Sequence, residues 1–158
     1  MMAANTAESE GGNQQVETVA AVMGAWGRKD LDALLSHISP DIIWHYQVGS
    51  RPVIGIEAMT KMLNRLKDHQ LHSKWRLTNW ASNGDLLFIE AVEDYQNPSG
   101  NRVQAPYTGV YRFDGDLISE WRDYVDLGLI MNGESGEAVP DWLGPLIDAE
   151  PIAGHRDG

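Results

Sequence analysis

The stretch Ile118-Ser119-Glu120-Trp121-Arg122-Asp123-Tyr124-Val125-Asp126 decides how the rest of the chain is read. On a β-strand successive side chains point to opposite faces, so Trp121, Asp123 and Val125 share one face and Glu120, Arg122 and Tyr124 the other. With the tryptophan face turned inward, Asp123 is a carboxyl group beside an indole in an apolar wall. A charge there is costly, so the group either gains a partner or shifts its pKa. A carboxyl held in that way suits proton transfer at neutral pH. The competing structural role is pairing with an arginine or capping a loop.

Three more strands precede this one. Leu71–Ala81 leads into Ser82-Asn-Gly-Asp85, Leu86–Tyr95 runs to Asn97-Pro-Ser-Gly100, and Val103–Phe113 reaches Asp114-Gly-Asp116 before Leu117–Asp126. Each bend carries the Asn-Gly, Ser-Gly or Asp-Gly chemistry of a hairpin, which predicts an antiparallel run. Further upstream the period changes. Val16, Val19, Ala20, Met23 and Trp26 recur at helical spacing until Gly27-Arg-Lys29, and Asp30 is placed to cap a short helix over Leu31, Leu34, Leu35 and Ile38. Asp41–Val48 alternates as a strand with Trp44, Tyr46 and Val48 on one face and His45 on the other. A third helix is expected from Ile56 to about His69.

Helices followed by antiparallel strands predict an α+β fold: a curved, cone-shaped, mixed or antiparallel sheet packed against three N-terminal helices and enclosing a pocket. Residues 1–13 read as a disordered leader, 14–131 as a single domain, and 132–158 as a tail that packs over the pocket or against a dimer partner. The chain has 158 residues, a formal charge of −11, 42% hydrophobic residues and no cysteine. That acidic balance argues against nucleic acid or an anionic membrane as partner, since both call for clustered Lys and Arg. The N-terminus lacks the pattern of a signal peptide, and no apolar run approaches the roughly 18 residues of a membrane span. A cytoplasmic location is expected. No metal-ligand spacing, phosphate-binding glycine loop or nucleophile elbow is present, so no cofactor or metal is expected.

The element order and several local strings resemble the nuclear transport factor 2-like superfamily, in its SnoaL-like and limonene epoxide hydrolase-like branch. The string Ala25-Trp-Gly-Arg-Lys-Asp-Leu-Asp-Ala-Leu-Leu35, followed by Ser39-Pro-Asp41, resembles its first helices. Trp121–Asp126 resembles the strand of limonene epoxide hydrolases whose aspartate is catalytic, which implies a catalytic role for Asp123. Those enzymes add an Arg-X-Asp pair on the central strand. The aligned positions here are Glu90 and Val92, so that pair is missing unless a shifted register turns Glu93 or Asp94 inward. Ketosteroid isomerases place their base at the position of Tyr46 and their acid donor near Thr108 or Gly109, and neither residue matches. Scytalone dehydratases carry a tyrosine corresponding to Tyr46 that helps polarise a substrate carbonyl. The resemblance also implies a homodimer.

Three residues are expected to carry chemistry. Asp123 is the base, or the acid when protonated; Glu90 is its proton partner, because two carboxyls in one site push one pKa upward. Tyr46 donates a hydrogen bond to a substrate oxygen. Trp26, Trp44, Trp121 and Trp75, with Phe88, Val92 and Val48, are expected to line the substrate pocket. Trp75 and Trp80 have opposite strand parity, which allows only one of them to face inward. Asp94 and Tyr95 are expected at a solvated rim. The reading is a cofactor-independent acid/base enzyme for a small apolar, aromatic or polycyclic metabolite, of lyase, dehydratase or isomerase type. Epoxide hydrolysis and a non-catalytic ligand-binding or assembly module are the alternatives.

Overall fold

Hairpin arithmetic governs the sheet. In the computed structural model, which describes the backbone from Met2 to Gly154 and the side chains of residues 10–152, four long strands follow one another. They are β3 (Arg76–Asn83), β4 (Leu86–Gln96), β5 (Arg102–Asp114) and β6 (Leu117–Val125). Two further strands precede them, β1 (Ile38–His45) and β2 (Val53–Ile54), and β7 (Ala153–Gly154) follows. The order across the sheet is β2-β1-β6-β5-β4-β3-β7. All neighbours run antiparallel except β1 and β6, which are parallel, so the sheet is mixed. The helices are α1 (Met2–Gly27), α2 (Leu31–Leu35) and α3 (Ile56–His69) on the N-terminal side, then α4 (Leu127–Glu134) and α5 (Gly144–Ile147). No helix among the described residues is long and apolar enough to cross a membrane.

The expected α+β architecture is present, with local corrections. Helix α1 takes in residues 2–13, the segment expected to be a disordered leader, and Met1 lies outside the described residues. Gly12 is buried where any side chain would strike Trp80 and Ser82, and Gln15 Nε2 donates to the Gly84 carbonyl at 2.8 Å. Ile38 opens β1 rather than closing α2, because Pro40 two residues on ends any helical run. The tail, 132–158, divides. Glu134 closes α4 at the cavity mouth, Ile147 of α5 is buried, and β7 pairs with β3 to become the edge of the sheet. Residues 155–158 lie outside the described residues.

The concave face of the sheet and α1–α3 enclose the core, in which Trp26, Trp121, Tyr111, Met23, Leu34 and Leu63 are almost wholly buried. The register shifts between Leu77 and Asn79, where Thr78 is an extra residue on β3. A bulge of this kind resets parity. Trp75 and Trp80 therefore both turn toward the core side, against the expectation that one would face outward.

On the opposite face, Asp94 is buried rather than solvated. Arg102 grips it through Nε and Nη2 at 3.0 and 2.8 Å, and Arg76 Nη1 reaches it at 2.9 Å. Burial pushes the Asp94 carboxyl up, but the hydrogen bonds and charges of Arg102 and Arg76 outweigh this and hold it below its ordinary 3.8. Arg76 also donates to the Ile147 carbonyl at 3.1 Å, so the cluster fastens α5 to the sheet. We expect Asp94→Asn to cost about 2 kcal/mol in chemical denaturation at pH 7, because it leaves a largely buried guanidinium uncompensated. A carboxyl with a lowered pKa stabilises above its unfolded pKa and loses that contribution as pH falls through the folded one. The wild-type advantage should therefore shrink below about pH 4.

Candidate active site

Strand pairing decides which side chains meet inside the cone. Asp123 on β6 lies opposite Gly109 on β5, and Gly109 lies opposite Ile89 on β4. Residues two apart share a face. Ile89, Ala91, Glu93 and Tyr95 therefore look to the same side as Asp123, together with Tyr107, Tyr111, Trp121 and Val125. These rows enclose a cavity of about 850 Å³, counting its open mouth. Trp26, Trp44, Trp75, Leu63 and Leu66 form much of its apolar wall, and Leu127 and Ile130 of α4 reach it from the mouth. Its polar side chains are Tyr46, Gln47, His69, Gln70, Glu93, Tyr95, Tyr107 and Asp123.

Asp123 is 8% exposed, and its Oδ1 accepts a hydrogen bond from Trp121 Nε1 at 2.8 Å. No arginine pairs with it among the described residues. Burial raises its carboxyl well above the ordinary 3.8; the Trp121 hydrogen bond opposes this and the charge of Glu93 adds to it. Space for that carboxyl comes from Gly109. A side chain there would lie 3.0 Å from the Tyr111 ring, 3.1 Å from Ile89 and 3.3 Å from Asp123 Oδ1.

Glu93 is the second carboxyl. Burial raises it from 4.5 to about 7; the Gln70 hydrogen bond draws it down, Glu134 pushes it up and Lys29 draws it down. Gln70 Nε2 donates to Glu93 Oε1 at 2.9 Å. Tyr107 lies on the strand between the two carboxyls and is held un-ionised by burial first, then by the charges of Asp123 and Glu93. At the mouth, Glu134 accepts from Tyr95 and from Asn97 Nδ2, and His69 Nε2 lies 2.8 Å from it.

The residues read from sequence divide accordingly. Asp123, Tyr46, Trp26, Trp44 and Trp75 come together around the cavity. Trp121 is fully buried behind it and acts through Asp123. Glu90 does not face Asp123: it is exposed between Asn79 and Thr108 on the outer face, one position out of parity with Ile89. Phe88 shares that outer face and is 38% exposed. Val92 has the same parity, and although buried it does not line the cavity. Val48 is 40% exposed, because the chain turns away over Gln47–Ser50 after its amide meets the Asp123 carbonyl. Tyr95 was expected at a solvated rim and is buried. Glu93, Gln70, Tyr107 and Glu134 were not singled out from sequence, except that Glu93 is the residue a shifted register turns inward. Among the described residues no cluster of three His, Asp or Glu side chains is placed to hold a metal.

A cone of three N-terminal helices against a strongly curved mixed sheet, with a pocket opening between them, defines the nuclear transport factor 2-like fold. The model of the SnoaL-like domain matches residues 19–121, and the chain belongs to that family. Among solved structures it is similar to an LEH-like epoxide hydrolase from M. tuberculosis, with 22% identity over 78% of this chain and 92% of that one and a TM-score of 0.69. A candidate SnoaL-like polyketide cyclase from a Jannaschia species is 23% identical over 81% and 94%, with a TM-score of 0.68. A protein with a ketosteroid isomerase-like fold from Catenulispora acidiphila, solved with trimethylamine, is 21% identical over 78% and 94%, also with a TM-score of 0.68. At such identities the likeness is one of fold. A search of curated proteins finds no match.

A carboxyl whose pKa is raised on folding stabilises below its unfolded pKa and loses that contribution as pH rises through the folded value. For Glu93 the window runs from 4.5 to about 7. Glu93→Gln, which carries no charge, should therefore be more stable than wild type at pH 8 by up to about 3 kcal/mol. The two should melt together at pH 4. Thermal melts across that range check the sign.

Proposed function

We propose that this protein is a cofactor-independent acid/base enzyme acting on a small, apolar, aromatic or polycyclic metabolite, with Asp123 and Glu93 as its proton-handling pair. The observation that carries this reading is Asp123 itself, a buried carboxyl hydrogen-bonded by Trp121 at the wall of an apolar cavity that holds a second buried carboxyl, Glu93, burial pushing both above their ordinary pKa. Two carboxyls whose surroundings set their pKa values apart divide the roles of acid and base. In this reading Asp123, hydrogen-bonded by Trp121, keeps its proton and offers it to a substrate oxygen. Glu93, near whose carboxyl the Lys29 charge acts, is available as a carboxylate to take a proton from carbon.

In the chemistry that follows, the C–H electron pair becomes a C=C bond as Glu93 removes the proton. The carbonyl π pair moves to oxygen, which receives the Asp123 proton or its hydrogen bond. Return of the Glu93 proton to a different carbon gives isomerisation. Delivery of that proton to a neighbouring hydroxyl gives loss of water: the C=C pair forms the new double bond and the C–O pair leaves with the oxygen, and in either outcome the enol oxygen returns its proton to Asp123 as the carbonyl re-forms. Tyr46 and Tyr107 serve as hydrogen-bond donors to oxygens of the bound ring, and the indoles exclude water.

Epoxide opening is the second reading, favoured by the same combination of a carboxylic acid and a carboxylate in one dry cavity: the acid protonates the epoxide oxygen and the carboxylate activates water. The arginine that orients such a pair in limonene epoxide hydrolases has no counterpart among the described residues lining this cavity.

The test is mass spectrometry on aromatic, polyketide-like and terpenoid compounds, epoxides included, incubated in D₂O with wild type, Asp123→Asn, Glu93→Gln and Tyr46→Phe. Deuterium gained on an unchanged skeleton, or loss of water, is the expected result. The two carboxyl variants should be slower by factors of about 10² to 10⁴. Addition of water to an epoxide alone would favour the second reading. Unchanged turnover in Asp123→Asn would remove Asp123 from the reaction. Compounds that raise the melting temperature without turnover would favour a binding module.

A further inference from the structure

Glu93 is reached from outside the cavity by a chain of buried polar contacts that begins at Lys29. This lysine lies between α1 and α2 with φ +58°, in the left-handed region that non-glycine residues seldom occupy. The turn around it is a Schellman closure of α1: the Lys29 amide donates to the Trp26 carbonyl at 2.9 Å and the Asp30 amide to the Ala25 carbonyl at 2.9 Å. Glycine is the residue such a position favours. A lysine there needs another reason, and its side chain supplies one.

Lys29 Nζ donates to Ser73 Oγ at 2.9 Å and sits 3.7 Å from the centre of the Trp26 ring. Ser73 passes its own proton to the Gln70 carbonyl at 2.8 Å, and the Gln70 side-chain amide donates to Glu93 Oε1. Ser73 and Gln70 are both more than nine-tenths buried. An ammonium group rarely accepts such surroundings without an anion to answer it. Burial lowers Lys29 from 10.5 to about 8, and Glu93 pulls it back upward.

We propose, building on the acid/base reading above, that Lys29 is the positioning residue of this site: through Ser73 and Gln70 it fixes the Glu93 carboxyl, and its charge keeps Glu93 able to act as a base. The other ionisable groups around Glu93 come from different elements. Glu134 on α4 opposes its ionisation, Asp123 on β6 has its own ionisation opposed by the Glu93 charge, Tyr95 on β4 and Tyr107 on β5 are neutral phenols, and His69 on α3 is engaged by Glu134. Lys29 is thus the cation that offsets the neighbouring Glu134 at Glu93. A merely structural lysine would hold the turn and leave the Glu93 titration alone.

The experiment is a carbon-13 NMR titration of glutamate side-chain carboxyls in the full chain, with the Glu93 signal assigned by its loss in Glu93→Gln. Lys29→Gly suits the left-handed turn and should keep or raise the melting temperature, so folding is preserved while the ammonium is removed. In this variant, and in Lys29→Met, the Glu93 midpoint should rise by about half a pH unit or more. Lys29→Arg should bring it back toward wild type. A Glu93 midpoint unchanged in Lys29→Gly would overturn the proposal, as would an equal rise in Lys29→Arg and Lys29→Gly. The titration needs no substrate, so it stands apart from the acid/base reading, which fails separately if no compound is turned over. With a substrate in hand, the acidic limb of kcat/KM should move up with the Glu93 midpoint in Lys29→Gly while KM stays near wild type.

Discussion

A carboxyl group in an apolar cavity must be neutral, paired or both, and this cone holds two that have no salt-bridge partner among the described residues. Asp123 has an indole hydrogen bond and Glu93 an amide hydrogen bond. Neither contact neutralises a charge, so burial dominates and both pKa values rise. The arrangement costs stability at neutral pH, which a scaffold selected only for folding would avoid by placing apolar side chains there. Asp94 supplies the internal contrast. Two positions from it in the same sheet lies Val92, and on the same outer face Asp94 meets two arginines that draw its pKa down. One sheet thus makes a structural carboxylate on its convex side and reactive carboxyls on its concave side, and the difference lies in whether arginine can reach.

Placement of these groups depends on backbone detail more than on the residues themselves. Gly109 opposite Asp123 leaves the volume that the carboxyl and the Tyr111 ring need. The aromatic wall then continues from Tyr46 through Trp44, Trp121 and Trp75 to Trp26, with neighbouring ring centroids 5.6 to 6.2 Å apart. Trp26 and Trp75 are stacked, and the other pairs are in edge or tilted contact. Such a wall excludes water, which is what keeps the two pKa values high. Helix α4 adds the cover, with Leu127 and Ile130 facing the cavity and Glu134 bound across from α3 to β4.

The inward face of β6 was legible because Trp121, Asp123 and Val125 alternate cleanly with charged residues. The helices were legible from their period, and the hairpins from their turn residues. On β4 the alternation is hidden: Ala91 and Val92 are both buried, so no polar residue marks the outer face there. Glu90 reads as inward only through the aligned strings of the resemblance. The turns of this chain held the answer, since pairing across Asn97-Pro-Ser-Gly100 and Asp114-Gly-Asp116 puts Glu93, and not Glu90, in the row of Asp123. The bulge at Thr78 carries no sequence mark, so the common orientation of Trp75 and Trp80 was not readable. Lys29 was visible only as a break after α1; its link to Glu93 runs through Ser73 and Gln70, some 40 positions further on, and is purely tertiary.

The account stands on the protonation state of Asp123, and infrared spectroscopy reads it directly. A difference spectrum at pH 7 between wild type and Asp123→Asn should contain the carbonyl stretch of an un-ionised carboxylic acid, shifted in D₂O and lost only well above the pH at which an ordinary aspartate ionises. A difference spectrum at pH 7 containing only the bands of an ionised carboxylate would contradict it.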